Sequence, residues 1–554
     1  MPRISSPALR QRLLAPPAPL ALLVGAIGFV AALTPSMIPR AAPLLGAEAG
    51  LAFAALYAIG IGLGALWSWL QLPEPGGGAR RVLGWVFLLL SLALIAYGLA
   101  RTTEWQNAIR RAMEMPPVLS AQPLFVAIVS ALVALLLFVL GRLFQHSATF
   151  AARWLGRFVP PRIAMLGGLL IAAALFWSIG NGVLLRSGLH ALDSSYRGVD
   201  ALIPAEFSAP DDPLKTGSAK SLLSWASLGA QGRERVVAAP SKSDIAALTG
   251  SDAVEPLRVY VGVNSAETVQ ARAALALSEM KRVGAFDRSL LVIATPTGTG
   301  WVDPAAMAPL EILHRGDVAS VSVQYSYLPS WLSLLVEPDY GAETSRAVFR
   351  VVYDYWRALP KEHRPRLYFF GLSLGSLNSD LSADFFDIVA DPYQGALWVG
   401  PPWESRTWNN VTSNREAGSP VWQPKFRDET LFRFITQQNA LDAVKPGWGP
   451  IRMVYLQYPS DPIVFFETTS LWHSPAWMKA PRGPDVSPAI RWIPVVTFLQ
   501  QICDMMTATT VPRGVGHVYA AAHYLDGWLA VTEPKGWDEA GLTKVRAWLD
   551  GKGL

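Results

Sequence analysis

Apolar and polar positions divide the chain into three regions of different character. In the first region, five runs are nearly free of charge: Pro19–Pro35, Ala49–Leu72, Val82–Ala100, Pro123–Phe144 and Ile163–Leu185. A bilayer-crossing helix needs about 20 such residues, so each run predicts a span, the first being the shortest. Arg3, Arg10 and Arg12 precede that first run, which leaves a signal peptide as the alternative. The four apolar runs that follow favour an uncleaved span. Residues 187–256 are polar, with scattered Pro, Gly, Ser and Asp, and read as a linker with some helix at Ala219–Leu228. From residue 257 short β-branched runs alternate with helical spacing. Strands are expected at Leu257–Val263, Ser289–Ala294, Val318–Gln324, Leu367–Phe370, Gly395–Val399 and Arg452–Gln457. Helices are expected at Ala266–Val283, Thr344–Leu359, His517–Trp528 and Asp538–Leu549. Apolar strands alternating with helices predict a mostly parallel sheet covered on both faces. Residues 400–450 interrupt this order. They are rich in Trp (Trp403, Trp408, Trp422, Trp448) and Pro, and read as an insertion that caps a site.

Composition fits this division. Of the 554 residues 51% are hydrophobic and 16% charged, and mean hydropathy is +0.28. The net charge of +5 comes with no Lys/Arg run of the nucleic-acid type. The cores of the five apolar runs carry no obvious ionisable residue, Arg142 lying near the end of the fourth, which argues against a proton or ion path and for a bundle that anchors or shapes a site. Glycines such as Gly60, Gly62, Gly64, Gly167 and Gly168 suit close helix approach. The flanking arginines set orientation. Nine (Arg3, Arg10, Arg12, Arg80, Arg81, Arg142, Arg153, Arg157, Arg162) lie on one side against five (Arg40, Arg101, Arg110, Arg111, Arg186) on the other. The N-terminus is therefore expected in the cytoplasm and, after five spans, the C-terminal domain outside it. Cys503 is the one cysteine, so neither an intramolecular disulfide nor a Cys-based zinc site can form.

The chemistry concentrates in Arg366-Leu-Tyr-Phe-Phe-Gly-Leu-Ser-Leu-Gly-Ser376. An apolar strand runs into G-x-S-x-G, and helical spacing follows at Leu377, Leu381, Phe385 and Ile388. Strand, G-x-S-x-G and helix together form the context of a nucleophile elbow, in which a strained turn presents the serine hydroxyl above the sheet. Ser373 is the expected nucleophile.

A serine hydroxyl needs a base, and the base an orienting acid. His517, in Arg513-Gly-Val-Gly-His-Val-Tyr519, is the expected base, with His473 and His523 as weaker candidates. Asp461 follows the strand ending at Tyr458 and is the expected acid, with Asp504 as the alternative. Such carboxyl edges gather ligand sites in open α/β sheets. The order Ser373, Asp461, His517 is that of the α/β-hydrolases. The oxyanion donors are expected from the amide of Leu374 and from the Thr295–Trp301 loop, at Thr297 and Gly298. That loop lacks the Gly-Lys-Ser/Thr ending of a phosphate cradle, and no His/carboxylate cluster has metal-ligand spacing. No cofactor or metal is implied.

Five stretches carry a family resemblance: Thr297-Gly-Thr-Gly-Trp301, Gly371-Leu-Ser-Leu-Gly375, Gly400-Pro-Pro-Trp403, Tyr458-Pro-Ser-Asp-Pro462 and Gly516-His-Val-Tyr519. With them the chain from about 257 to 531 resembles the bacterial membrane-associated α/β-hydrolase family, the ninth of that fold's families. Leu33-Thr-Pro-Ser-Met-Ile-Pro-Arg40 resembles its N-terminal multi-span region. The resemblance implies a serine hydrolase fold in a bacterial cytoplasmic membrane and no particular substrate. The expected organisation is a transmembrane bundle (1–186), a linker (187–256) and an α/β-hydrolase domain (257–554). The expected activity is ester cleavage on a hydrophobic or lipid acyl substrate, with membrane lipids as partners and no nucleic acid. An envelope acyltransferase using the same triad and a non-catalytic membrane scaffold are the alternatives.

Overall fold

The computed structural model describes residues 18–73, 75–185, 200, 208–328, 338–383, 385–441, 444 and 447–554. They form two compact units. One holds the described residues up to 185 together with Glu467–Met478 and Val486–Thr507. The other holds the described residues from 200 to Phe466, Lys479–Asp485 and Ala508–Leu554.

The first unit is helical. Ala42–Trp69, Gly77–Ala112, Pro123–Leu155 and Pro161–Gly182 are long and apolar enough to cross a membrane. Leu89, Leu132, Leu135 and Ile163 are exposed on them, an outer face suited to lipid. Five spans were expected. The first, Pro19–Leu33, forms a helix of only 15 residues. At about 1.5 Å per residue it falls short of a hydrocarbon core about 30 Å thick. The second helix starts earlier than its apolar run and so takes in Glu48, which is fully buried in an ion pair with Arg40. Gly168 does serve close approach, since a Cβ there would lie 2.6 Å from Ala152 N, whereas Gly62 and Gly64 face open space.

Two segments from the C-terminal half join this unit, which the sequence did not foretell. The helix Val496–Met506 places Val496 in the apolar cluster of Phe29, Leu33, Leu45 and Val126. Gln500 Nε2 donates to Thr34 O at 3.1 Å. Asp504 accepts from Ser36 Oγ at 2.8 Å and from Met37 N at 3.0 Å. The Leu33–Arg40 stretch is thus held by polar groups from far along the chain.

The second unit is built on seven strands: β1 (Leu257–Val261), β2 (Leu290–Thr295), β3 (Val318–Val323), β4 (Arg366–Leu372), β5 (Gly395–Val399), β6 (Phe432–Ile435) and β7 (Arg452–Leu456). Their order is β1-β3-β2-β4-β5-β7-β6 and every pairing is parallel. Parallel neighbours require crossovers, so helices cover both faces and the strands read as continuous apolar runs. Two expectations change here. The 400–450 segment is not simply a cap, because it carries a helix, Arg406–Ser413, and contributes β6 to the sheet edge. The expected linker, where described from 208 on, is part of the globular unit. Its helix Gly229–Val237 brings Arg235 to Glu311 at 2.9 Å, and Glu311 also meets Arg258 of β1 at 2.7 Å, all three buried. The helix expected at Ala219–Leu228 is a short turn of 3-10 helix, Trp225–Leu228.

The register sets up the site. Thr295 pairs Gly371, Leu372 pairs Val399, and Val399 pairs Leu456. The carboxyl ends of β2, β4, β5 and β7 therefore finish together, and the loops leaving them open on one edge.

Candidate active site

Ser373 follows β4 with φ 56° and ψ −126°. A non-glycine residue there is strained by about 1–3 kcal/mol. Surrounding contacts fix it: Ser373 N donates to Val399 O at 2.9 Å, and Ser376 N donates back to Ser373 O at 2.9 Å. The flanking glycines are required by space. A Cβ at Gly371 would strike the Gly375 carbonyl, and one at Gly375 would strike Thr295 O. The helix that follows is Leu374–Asp380, shorter than its periodicity suggested. Ser382 Oγ donates to Ser379 O at 2.7 Å just past its end, a local bond that competes with helix continuation.

Asp461 lies in the loop after β7 and is fully buried. Its Oδ1 accepts from Ile463 N at 2.9 Å. Its Oδ2 accepts from His517 Nδ1 at 2.6 Å and from Tyr519 OH at 2.6 Å. An ionised carboxylate is acceptor-only, so the proton of a neutral His517 sits on Nδ1 and Nε2 keeps its lone pair. His517 Nε2 is buried and makes no hydrogen bond among the described residues. The imidazole is placed by its backbone, with His517 N donating to Ala508 O at 2.9 Å, and by its contact with Gly400. Gly400, at φ +51°, is where a Cβ would come 2.6 Å from His517 Cε1.

Ser373 and His517 are thus reached from adjacent residues at the end of β5. Val399 O holds Ser373 N, and Gly400 abuts the His517 ring. No hydrogen bond joins the serine hydroxyl to Nε2. Unliganded sites commonly leave this bond long until substrate is bound.

The rival residues go elsewhere. His523 Nδ1 meets Tyr458 OH at 2.5 Å, and burial pushes its pKa down to about 4, so the ring stays neutral. His473 and Asp504 belong to the helical unit.

The oxyanion assignment needs one correction. The amide of Thr297 is spent on Trp301 O at 2.9 Å, within a turn that Gly300 N closes onto Thr297 O at 2.9 Å. Thr297 therefore does not offer its N–H to a ligand. Gly298 is the second residue of that turn. Tyr260 OH to Gly300 O at 2.7 Å and Gln324 Nε2 to Thr299 O at 3.0 Å tie the loop to the sheet. Leu374 is the first residue of the helix after Ser373, where the opening amides have no partner within the helix.

Tyr519 and Gly400 were given no role by sequence reasoning, although both lie in the stretches that carried the resemblance. Tyr519 stacks on Tyr458 with centroids 4.4 Å apart, which aims its hydroxyl at Asp461. A separate cavity of about 590 Å³, lined by Arg346, Arg350, Asp354, Arg357, Asp380 and Arg406 among others, includes none of the three site residues. Among the described residues no group of His, Cys, Asp and Glu is arranged to hold a metal ion.

Comparison with known sequences agrees with this architecture. A profile described as the alpha/beta-hydrolase family matches residues 257–545, and one described as its N-terminus matches residues 33–240. No curated protein and no solved structure matches the chain.

Proposed function

Because the chain belongs to the alpha/beta-hydrolase family, a fold of hydrolysis and acyl transfer, we propose that it is a membrane-anchored serine hydrolase that cleaves carboxylic esters. Ser373 is the nucleophile, His517 the base and Asp461 the orienting acid. The observation that carries this reading is His517, held by Asp461 through Nδ1 while Nε2 is buried without a partner. A buried ring nitrogen without a donor is costly unless a ligand or reacting group supplies one.

Ser373 Oγ attacks the acyl carbonyl as its proton passes to Nε2. The tetrahedral intermediate collapses as His517 returns that proton to the leaving alkoxide, giving an acyl-enzyme. Water repeats the sequence and frees the acid. Asp461 holds the imidazole in its working tautomer and stabilises its cation. The Leu374 amide faces the developing oxyanion, a contribution of about 3 kcal/mol per donor. A second donor comes from the turn around Gly298.

The four apolar helices suit a hydrophobic acyl ester drawn from or near a lipid surface. The family resemblance implies a bacterial cytoplasmic membrane, and the arginine balance favours the hydrolase unit on its extracytoplasmic side. That placement requires the short helix Pro19–Leu33 to cross as well. A C-terminal reporter fusion active only outside the cytoplasm checks it.

Labelling of the detergent-solubilised full chain with a fluorophosphonate probe tests the chemistry. Wild type should label and Ser373→Ala should not. Equal labelling of both, or a folded wild type that never labels, removes the proposal. Chain-length series of p-nitrophenyl esters should show kcat/KM rising with acyl length.

A further inference from the structure

One buried carboxylate beside the site has no part in the chemistry above. Asp485 is 6% exposed, and its Oδ2 accepts from Ser460 Oγ at 2.6 Å, Ser460 N at 3.3 Å and Gln437 Nε2 at 2.6 Å. Ser460 Oγ, its proton committed to Asp485, accepts in turn from Gly516 N at 2.8 Å. Gln437 Nε2 reaches Gly514 O at 3.1 Å as well. Ser460 immediately precedes Asp461, and Gly516 immediately precedes His517. A single carboxylate thus links the loop after β7, the loop carrying His517 and the loop after β6.

The course of the chain isolates this carboxylate. Glu467–Met478 and Val486–Thr507 belong to the helical unit, and only Lys479–Asp485 between them belongs to the sheet unit. That short return ends on Asp485. Its Oδ1 is buried with no hydrogen-bond partner among the described residues, a cost that a plain loop cap would avoid by facing water.

We propose that Asp485 is a positioning residue for the reaction described above, on which this inference rests: through Ser460 it fixes the separation of Asp461 and His517. The 2.6 Å bond between those two residues depends on how their loops are spaced, and the Asp485–Ser460–Gly516 chain sets that spacing one residue away from each. A displacement of about 1 Å in such a constellation can lower the rate about 100-fold.

The test measures fluorophosphonate labelling of the purified full chain over a range of probe concentrations, separating maximal rate from half-saturation. Asp485→Asn should lower the maximal rate about 10- to 100-fold and leave half-saturation within about twofold. Ser460→Ala, which keeps the buried charge, should do the same, and the double variant should be no slower than the slower single one. Residues that act as a unit are non-additive. In a His517→Ala background, Asp485→Asn should therefore change nothing further. A rate within about twofold of wild type for Asp485→Asn overturns the inference, as does an equal loss with and without His517. If Asp485→Asn fails to fold, Ser460→Ala decides by the same criteria. Unchanged labelling in Ser373→Ala or His517→Ala would instead remove the reaction itself, so the two failures are distinguishable.

Discussion

Asp504 accepts the hydroxyl of Ser36 at 2.8 Å across 468 positions of sequence. Its carboxylate also takes Met37 N and lies 4.0 Å from Arg40 Nε, in a region closed to water. Burial pushes its pKa up to about 6, with Arg40 and Ser36 pulling it back. Asp504→Ala would leave a buried hydroxyl and amide without an acceptor and remove one of the two carboxylates beside Arg40. Breaking a buried charge network of this kind costs about 3–5 kcal/mol. The expected outcome is a large fall in the thermal midpoint of the helical unit in detergent, with Asp504→Asn milder because it keeps an acceptor. A loss below about 1 kcal/mol would show the cluster to be passive.

Tyr519 and His517 share one oxygen of Asp461. Removing the phenol hydroxyl deletes a donor to a buried charge, worth about 1.5–3 kcal/mol, without creating a large cavity. Tyr519→Phe should lower kcat for ester hydrolysis about tenfold or more, with KM little changed. Steady-state kinetics on a soluble ester reads this directly. An unchanged kcat would mean that His517 and the Ile463 amide set the orientation of the carboxylate without the phenol.

Gly400→Ala should be severe for a steric reason. The residue has φ +51°, and its Cβ would meet His517 Cε1 at 2.6 Å and Tyr519 Cε2 at 2.9 Å. The ring must move, and a fall in labelling rate of about 100-fold or more is expected. Gly418→Ala is the matched control, because Gly418 has φ +90° with nothing within 4 Å of its Cβ. It should carry only the backbone cost of about 1–2 kcal/mol in stability and leave the rate alone. Equal effects of the two substitutions would deny the contact a role.

The legibility of the sequence follows from what each residue buries. Six of the seven strands could be read because parallel strands are covered on both faces and appear as unbroken apolar runs. β6 was hidden, since Phe432-Arg-Phe-Ile435 is short and lies in a Trp- and Pro-rich segment with no period. The elbow was legible because its two glycines and its serine are local requirements of one turn. The partner residues at Asp461 and His517 could be placed only by strand ends and chain order. The contacts of Tyr519, Gly400 and Asp485 join distant segments, which leaves no periodic signal. For the same reason the sequence did not show that Asp504 and Gln500 meet the Leu33–Arg40 stretch. The Thr297 amide was misassigned because the turn that occupies it forms within the loop itself.

Asp303 predicts how stability depends on pH. It caps the helix Pro304–Leu313, with Oδ1 accepting from Ala305 N at 2.9 Å and Oδ2 from Tyr524 OH at 2.8 Å. Burial pushes its pKa up to about 6, the two donors and Arg513 opposing the rise. The folded protein therefore holds this proton to higher pH than the unfolded chain does. Below about pH 4 both states are protonated and the group is neutral to stability. Between about pH 4 and 6 the unfolded state ionises first, so stability falls as pH rises, by about 3 kcal/mol in all. Asp303→Asn has no such proton and keeps an acceptor for Tyr524. Relative to wild type, the variant should gain about 3 kcal/mol between pH 4 and pH 7. Unfolding midpoints of both proteins at the two pH values measure the difference. If the gap between them is the same at both, Asp303 is ionised throughout and the buried charge is compensated by its donors.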